Sequence, residues 1–241
     1  MMLPLALAFI ALLYASVGHG GGSGYIAVLT LSGLSPEQVR PIALMLNILV
    51  ASLGTWQFAR RGHISTHLLL RVGLPAAPAA ALGGAITLPT PALRVALGGV
   101  LLLASARLLW PLTTPRTAQR PRTAPLVGTG AALGLFAGLT GTGGGIFLTP
   151  VLLFTGWASP KVAAGVSVAF ILINSVFGLG AFVASGGAIP AIGWTTLLPV
   201  GIGGLIGAHL GSHHLSPTHI KRALAAVLLI ASVKLLAALG A

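Results

Sequence analysis

Eight apolar runs, at residues 3–33, 41–59, 68–88, 92–112, 126–156, 162–184, 195–211 and 219–238, leave this chain little with which to face water. A helix needs roughly 20 apolar residues to cross the hydrocarbon of a bilayer. Six runs are near that length; the first and fifth are longer and are broken by glycines. Charged residues make up 6% of the chain, against about 25% in soluble domains, so the covering surface must be lipid. The net charge of +12 does not signal nucleic acid, because the basic residues lie scattered in short connections, as membrane topology determinants do. Glu37 is the sole carboxylate side chain, and cysteine is absent. A carboxylate relay or cation site within the membrane is thereby excluded, as are disulfides and thiolate metal sites. No cofactor or metal is implied.

The chain reads as a duplication. Gly18-His19-Gly20-Gly21-Gly22 matches Gly141-Thr142-Gly143-Gly144-Gly145, and Ser35-Pro36 matches Ser159-Pro160. Gly62-His63-Ile64 matches Gly187-Ala188-Ile189, Pro75 and Gly83 match Pro199 and Gly207, and Arg94 matches Arg222. The stretch beginning Ala104-Ser105 matches the one beginning Ala231-Ser232, and the offset stays between 123 and 128 residues. Chance similarity of apolar runs would not be collinear. The expected organisation is a first transmembrane repeat over 1–110, a basic Pro-rich linker over 111–125 and a second repeat over 126–241. The N-terminal run has no basic leader and pairs with mid-chain Leu126 to Thr140, so it reads as mature structure, not a signal peptide.

Ser35-Pro36, Ser159-Pro160 and Ser216-Pro217 each place a serine cap before a proline at the first helical position. Glu37 then falls in a first turn, where the helix dipole favours an anion. If all eight segments span, the basic residues divide 8 against 5; if segments one and five dip in and return, they divide 10 against 3, with Arg40 in a connection. The second split fits the positive-inside rule better. It gives each half an odd number of crossings, and so predicts inverted repeats.

The two glycine clusters carry the functional signal. Glycine costs a helix roughly 1 kcal/mol relative to Ala, and in lipid it frees amides that nothing there can satisfy. Such breaks persist where protein or a polar cavity meets them, and amides at a half-helix start attract anions. The alternative is close packing through small residues. The expected substrate site takes the amides of Gly20, Gly21, Gly22, Gly143, Gly144 and Gly145, with His19, Ser23, Thr140 and Thr142 as donors. Asn47 and Asn174, in the second segments of the two halves, would line the path, although bonding between helices is an equal reading for both.

These motifs resemble a known family. Gly18 to Gly22, Gly141 to Gly145, Ala164-Gly165-Val166-Ser167 and Asn174-Ser175 are similar to the sulfite exporter TauE/SafE family of membrane transporters, over about residues 5–237. The resemblance implies an all-α polytopic protein of the prokaryotic inner membrane. It would carry a small, sulfur-containing anion such as sulfite or sulfoacetate, by rocking or gating of one half against the other. Its partners would be that anion, the bilayer and a coupling ion, for which His19 is the proton candidate; a homo-oligomer stays open.

Two other readings compete. A passive anion channel would share the fold. Gly21-Gly22-Ser23-Gly24 also fits the G-x-S-G pattern of rhomboid intramembrane proteases, with His209 as base. The repeat argues against it, because Gly145-Ile146 offers no matching serine. His213-His214 with His219 suggests a metal only weakly, since no carboxylate or cysteine accompanies them.

Overall fold

The computed structural model describes residues 2–85, 98–99, 102, 105–106, 122–140 and 142–237. Among these, every regular element is helical: α1 (Met2–Ser16), α2 (Gly22–Leu31), α3 (Pro36–Arg60), α4 (Thr66–Ala85), α5 (Thr123–Thr140), α6 (Gly145–Phe154), α7 (Pro160–Ala184), α8 (Trp194–His209), a π-helical turn (Leu210–His214) and α9 (Pro217–Ala237). Most of the fourth apolar run and of the linker lies outside the described residues. Three described helices are long and apolar enough to cross a membrane, at Gln38–Arg60, Thr66–Ala85 and Pro160–Ala184.

The glycine clusters split the first and fifth runs into two helices each. At 1.5 Å per residue, an unbroken helix would hold Ile10 and Gly24 about 21 Å apart. Instead a methyl group on Gly24 would collide with the Ile10 side chain, and Tyr14 Oη lies 3.0 Å from Ser23 Oγ. The chain therefore folds back across α1. In the fifth run, a methyl on Gly144 would lie 2.8 Å from Ala137 Cβ and 3.2 Å from the Leu133 carbonyl oxygen, so α6 likewise starts back alongside α5.

The three Ser-Pro helices start at their prolines, but the caps differ. Ser216 Oγ accepts from His219 N–H at 3.4 Å. At Ser35 the backbone N–H donates to Gln38 Oε1. Ser159 makes no side-chain cap bond; its helix relies on the pre-set φ of Pro160.

Packing interleaves the two sides of the linker. The most extensive contacts join α4 to α5 and α1 to α8, followed by α3 to α7 and α4 to α7. Two glycine ladders explain the first two. Gly130, Gly134 and Gly138 sit four apart on one face of α5 and press on the Val72, Ala76 and Ala80 carbonyls of α4. Gly203, Gly207 and Gly211 do the same against the Ala8, Leu12 and Ser16 carbonyls. In lipid there is little hydrophobic drive between helices, so such close backbone approach supplies the association. Small-residue packing operates at the first break as well, where Gly18 presses on the Ala164 carbonyl. Two buried serines tie the remaining segments: Ser105 Oγ donates to the Ala225 carbonyl and Ser232 Oγ to the Gly98 carbonyl, each at 2.8 Å.

Candidate functional site

The end of α1 positions the first break. His19 N–H bonds the Tyr14 carbonyl at 2.8 Å and Gly18 N–H bonds the Ala15 carbonyl at 3.1 Å. This is a Schellman termination, which needs a left-handed residue; Gly18 supplies it with φ 79°. The residue after such a glycine turns away from the helix axis, and here that residue is His19. In the second break Gly144, at φ 77°, is the N-cap of α6.

The two breaks touch. His19 Nε2 lies 3.1 Å from the Gly145 carbonyl oxygen and 3.1 Å from Thr149 Oγ1, both at the start of α6. Thr149 Oγ1 in turn donates to Ser167 Oγ of α7 at 2.6 Å. A methyl on Gly22 would lie 2.8 Å from the Thr142 carbonyl oxygen. Asn47 sits between the breaks: its Nδ2 donates to the Thr142 carbonyl at 3.5 Å, and its amide flanks Gly20, Gly22 and Gly143. Asn174 Nδ2 donates to the Gly143 carbonyl at 3.4 Å.

At this junction lies a cavity of about 10 Å³, room for about one water. It is lined by His19, Gly20, Gly21, Gly22, Ser23 and Thr142, together with Tyr14, Ile146 and Ile171. Gly143, Gly144, Gly145, Asn47 and Asn174 pack around the junction without lining the cavity; the side chain of Thr140 is outside the described residues. The surroundings hold buried polar atoms without hydrogen-bond partners among the described residues: His19 Nδ1, Tyr25 Oη, Asn47 Oδ1, Asn174 Oδ1 and Ser175 Oγ. Leaving such an atom unsatisfied costs about 1–3 kcal/mol.

Sequence reasoning missed Tyr14, Thr149 and Arg40. Tyr14 and Thr149 are ordinary apolar-run residues until the breaks fold back; the spacing of Thr149 four after Gly145 is the only available signal. Arg40 is a correction. It lies within α3, half-buried, and its Nη2 donates to the carbonyls of Gly84 and Gly138 at 3.0 and 2.7 Å. It therefore ties the C-terminal ends of α4 and α5, where a cation complements the dipole, and is no loop charge in a topology count. Arg40→Met is expected to lower stability by about 2 kcal/mol, the scale of charged hydrogen bonds, read as an earlier unfolding transition in detergent. An unchanged transition would mean that the carbonyls find other donors.

The protease pairing does not form. Ser23 Oγ bonds Tyr14 Oη, while the exposed His209 ring stacks on His213 with centroids 4.1 Å apart. Among the described residues no group of three His or acidic side chains is placed to hold a metal.

The chain is 38% identical over 245 residues to "Probable membrane transporter protein y4hK" of Sinorhizobium fredii (strain NBRC 101917 / NGR234), covering 96% of this chain and 97% of that one. It is 27% identical over 214 residues to "Probable membrane transporter protein ORF9" of Sinorhizobium sp, covering 86% and 80%. No solved structure matches. The family model of the sulfite exporter TauE/SafE proteins matches residues 3–235. The chain therefore belongs to the sulfite exporter TauE/SafE family, and is an integral membrane transporter rather than an enzyme.

Proposed function

We propose that this transporter carries a small sulfur oxyanion or organosulfonate across the inner membrane of a prokaryote, binding it where the two glycine breaks meet. The observation that carries the reading is that junction: two half-helix starts converge on buried polar groups, and the only carboxylate side chain in the sequence is Glu37. The amides of Gly20, Gly21 and Gly22 and of Gly143, Gly144 and Gly145 supply fixed donors, with His19, Ser23, Thr140 and Thr142 beside them. Asn47 and Asn174 bond carbonyls at 3.5 and 3.4 Å, the weak end of the range. Those donors are readily exchanged for charge-assisted bonds to an anion. The sulfur chemistry rests on the family name. A cavity of about 10 Å³ does not admit sulfite, so on this reading the breaks part to admit the anion, toward one side and then the other.

We further propose that the chain is two homologous, inverted repeats related by an approximate two-fold axis. Reciprocal contacts support it. Ser105 bonds Ala225 and Ser232 bonds Gly98; each partner is the other's equivalent at an offset of 127. Gly83 presses on the Leu135 carbonyl and Gly207 on that of Leu12, again equivalent pairs. With the first and fifth segments folded back and the fourth taken to span, each repeat has an odd number of crossings, and the charge split that favours this is 10 to 2 once Arg40 is set aside.

Counterflow in proteoliposomes tests the function. Liposomes preloaded with sulfite, thiosulfate, sulfoacetate or acetate are diluted into labelled anion. The expected outcome is saturable exchange with at least one sulfur anion and little with acetate. Unsaturable flux would mean a channel, and no flux above empty liposomes would remove the anion reading.

A further inference from the structure

The junction contains one basic side chain whose hydrogen bonding fixes its chemistry. The Gly145 carbonyl oxygen can only accept, so the 3.1 Å contact from His19 Nε2 requires the proton on Nε2. Thr149 Oγ1, also 3.1 Å away, directs its own proton to Ser167 at 2.6 Å, with the Gly145 carbonyl at 3.2 Å as its other acceptor. It therefore faces Nε2 with a lone pair, and both contacts select the same tautomer. Neutral His19 must then carry a bare lone pair on Nδ1. That atom is buried and has no partner among the described residues; the residue is 1% exposed and lines the junction cavity.

A lone pair beside an anion repels it, while Nδ1–H would bond it. Conversely, an imidazolium is costly in a buried site without a counter-charge. The groups facing His19 supply none. Tyr14 of α1 approaches edge-on at 6.4 Å between centroids, Tyr25 of α2 stands across Gly21, and α6 and α7 contribute Thr149 and Ser167. The two tyrosines are the only titratable groups among them, and neither is cationic or anionic near neutral pH.

We propose that the cargo anion and one proton occupy the junction together, the proton on His19 Nδ1, so that the protein is a one-to-one anion–proton cotransporter. This deepens the functional reading above and rests on it. A proton from water on the entry side adds to the Nδ1 lone pair as the anion binds. It leaves to water on the exit side as the anion departs, and Nε2–H stays on Gly145 throughout. Each ligand supplies the counter-charge that the other lacks, so each raises the affinity for the other by the same factor.

The test uses thiosulfate and sulfoacetate, whose charges do not change near neutral pH, in liposomes with the membrane potential clamped at zero. For the wild type, an acid-outside gradient is expected to accumulate the exchanged anion by about 10-fold per pH unit, the equilibrium for one proton per anion. His19→Gln keeps an amide donor within reach of Gly145 but cannot take up a proton. It is expected to slow transport and to abolish accumulation, while His209→Gln/His213→Gln/His214→Gln still accumulates. Exchange by the wild type without gradient-driven accumulation overturns the coupling while leaving the transport reading intact. Accumulation retained in His19→Gln overturns the assignment to His19. Absence of any exchange overturns the transport reading and the coupling with it. Should His19→Gln fail to purify as folded protein, wild-type thiosulfate affinity decides: it is expected to weaken about 10-fold per pH unit on the alkaline side, and a flat profile overturns the proposal.

Discussion

Gly22→Ala is expected to remove transport while leaving the protein folded. Gly22 opens α2 and is not among the glycines with positive φ, so alanine there is locally favourable by up to about 1 kcal/mol. The added methyl, however, would lie 2.6 Å from Asn47 Nδ2 and 2.8 Å from the Thr142 carbonyl oxygen. Asn47 can rotate; Thr142 is backbone of the opposite break and moves only if the junction moves. A displacement of about 1 Å in groups that position a ligand costs on the order of 100-fold in rate. Counterflow should fall by that factor with the unfolding temperature within a few degrees of wild type. Gly180→Ala, whose methyl meets nothing within 4 Å, is the control and should transport normally. Equal transport by Gly22→Ala and wild type would show that the breaks need not meet at this distance.

Leucine in either glycine ladder is expected to act on assembly instead. At Gly134 it would drive a side chain into the Ala76 carbonyl, and at Gly207 into that of Leu12. Neither backbone can yield without separating α5 from α4 or α8 from α1. Overpacking a core costs about 1–3 kcal/mol and sometimes more, and here the obstacle is a helix axis. Each variant should lose about 3 kcal/mol or more, seen as loss of the monodisperse peak on size exclusion and a collapsed yield from the membrane fraction. If Gly134→Leu and Gly207→Leu behave as wild type, the ladders are not what holds these pairs together.

The membrane class, the helix-only composition and the places where helices break were all readable, because each rests on local chemistry: apolar run length, charge scarcity and the cost of glycine in a helix. His19 could be singled out because glycines flank it. Its partner Thr149 could not, since a threonine at a helix start is unremarkable until a segment 130 residues away folds against it. Arg40 misled for a related reason. A basic residue close to a helix start resembles a topology charge, and only the long-range meeting of α4 and α5 reveals two carbonyls waiting for it. The ladders are legible as Gly130-x-x-x-Gly134-x-x-x-Gly138 and Gly203-x-x-x-Gly207-x-x-x-Gly211, but the spacing alone does not say which backbone each glycine meets.

The ladders also decide which parts are free to move. They lace α1 to α8 and α4 to α5, so the opening helix of each proposed repeat is fastened to a helix of the other. A clamshell whose two valves were the sequence repeats would have to tear both seams at every cycle. The stiff bodies are instead hybrids, one carrying α1 with α8 and the other α4 with α5, and the compliant material is the short half-helices and the glycine joints between them. The boundary between the proposed repeats and the boundary between these laced bodies do not coincide.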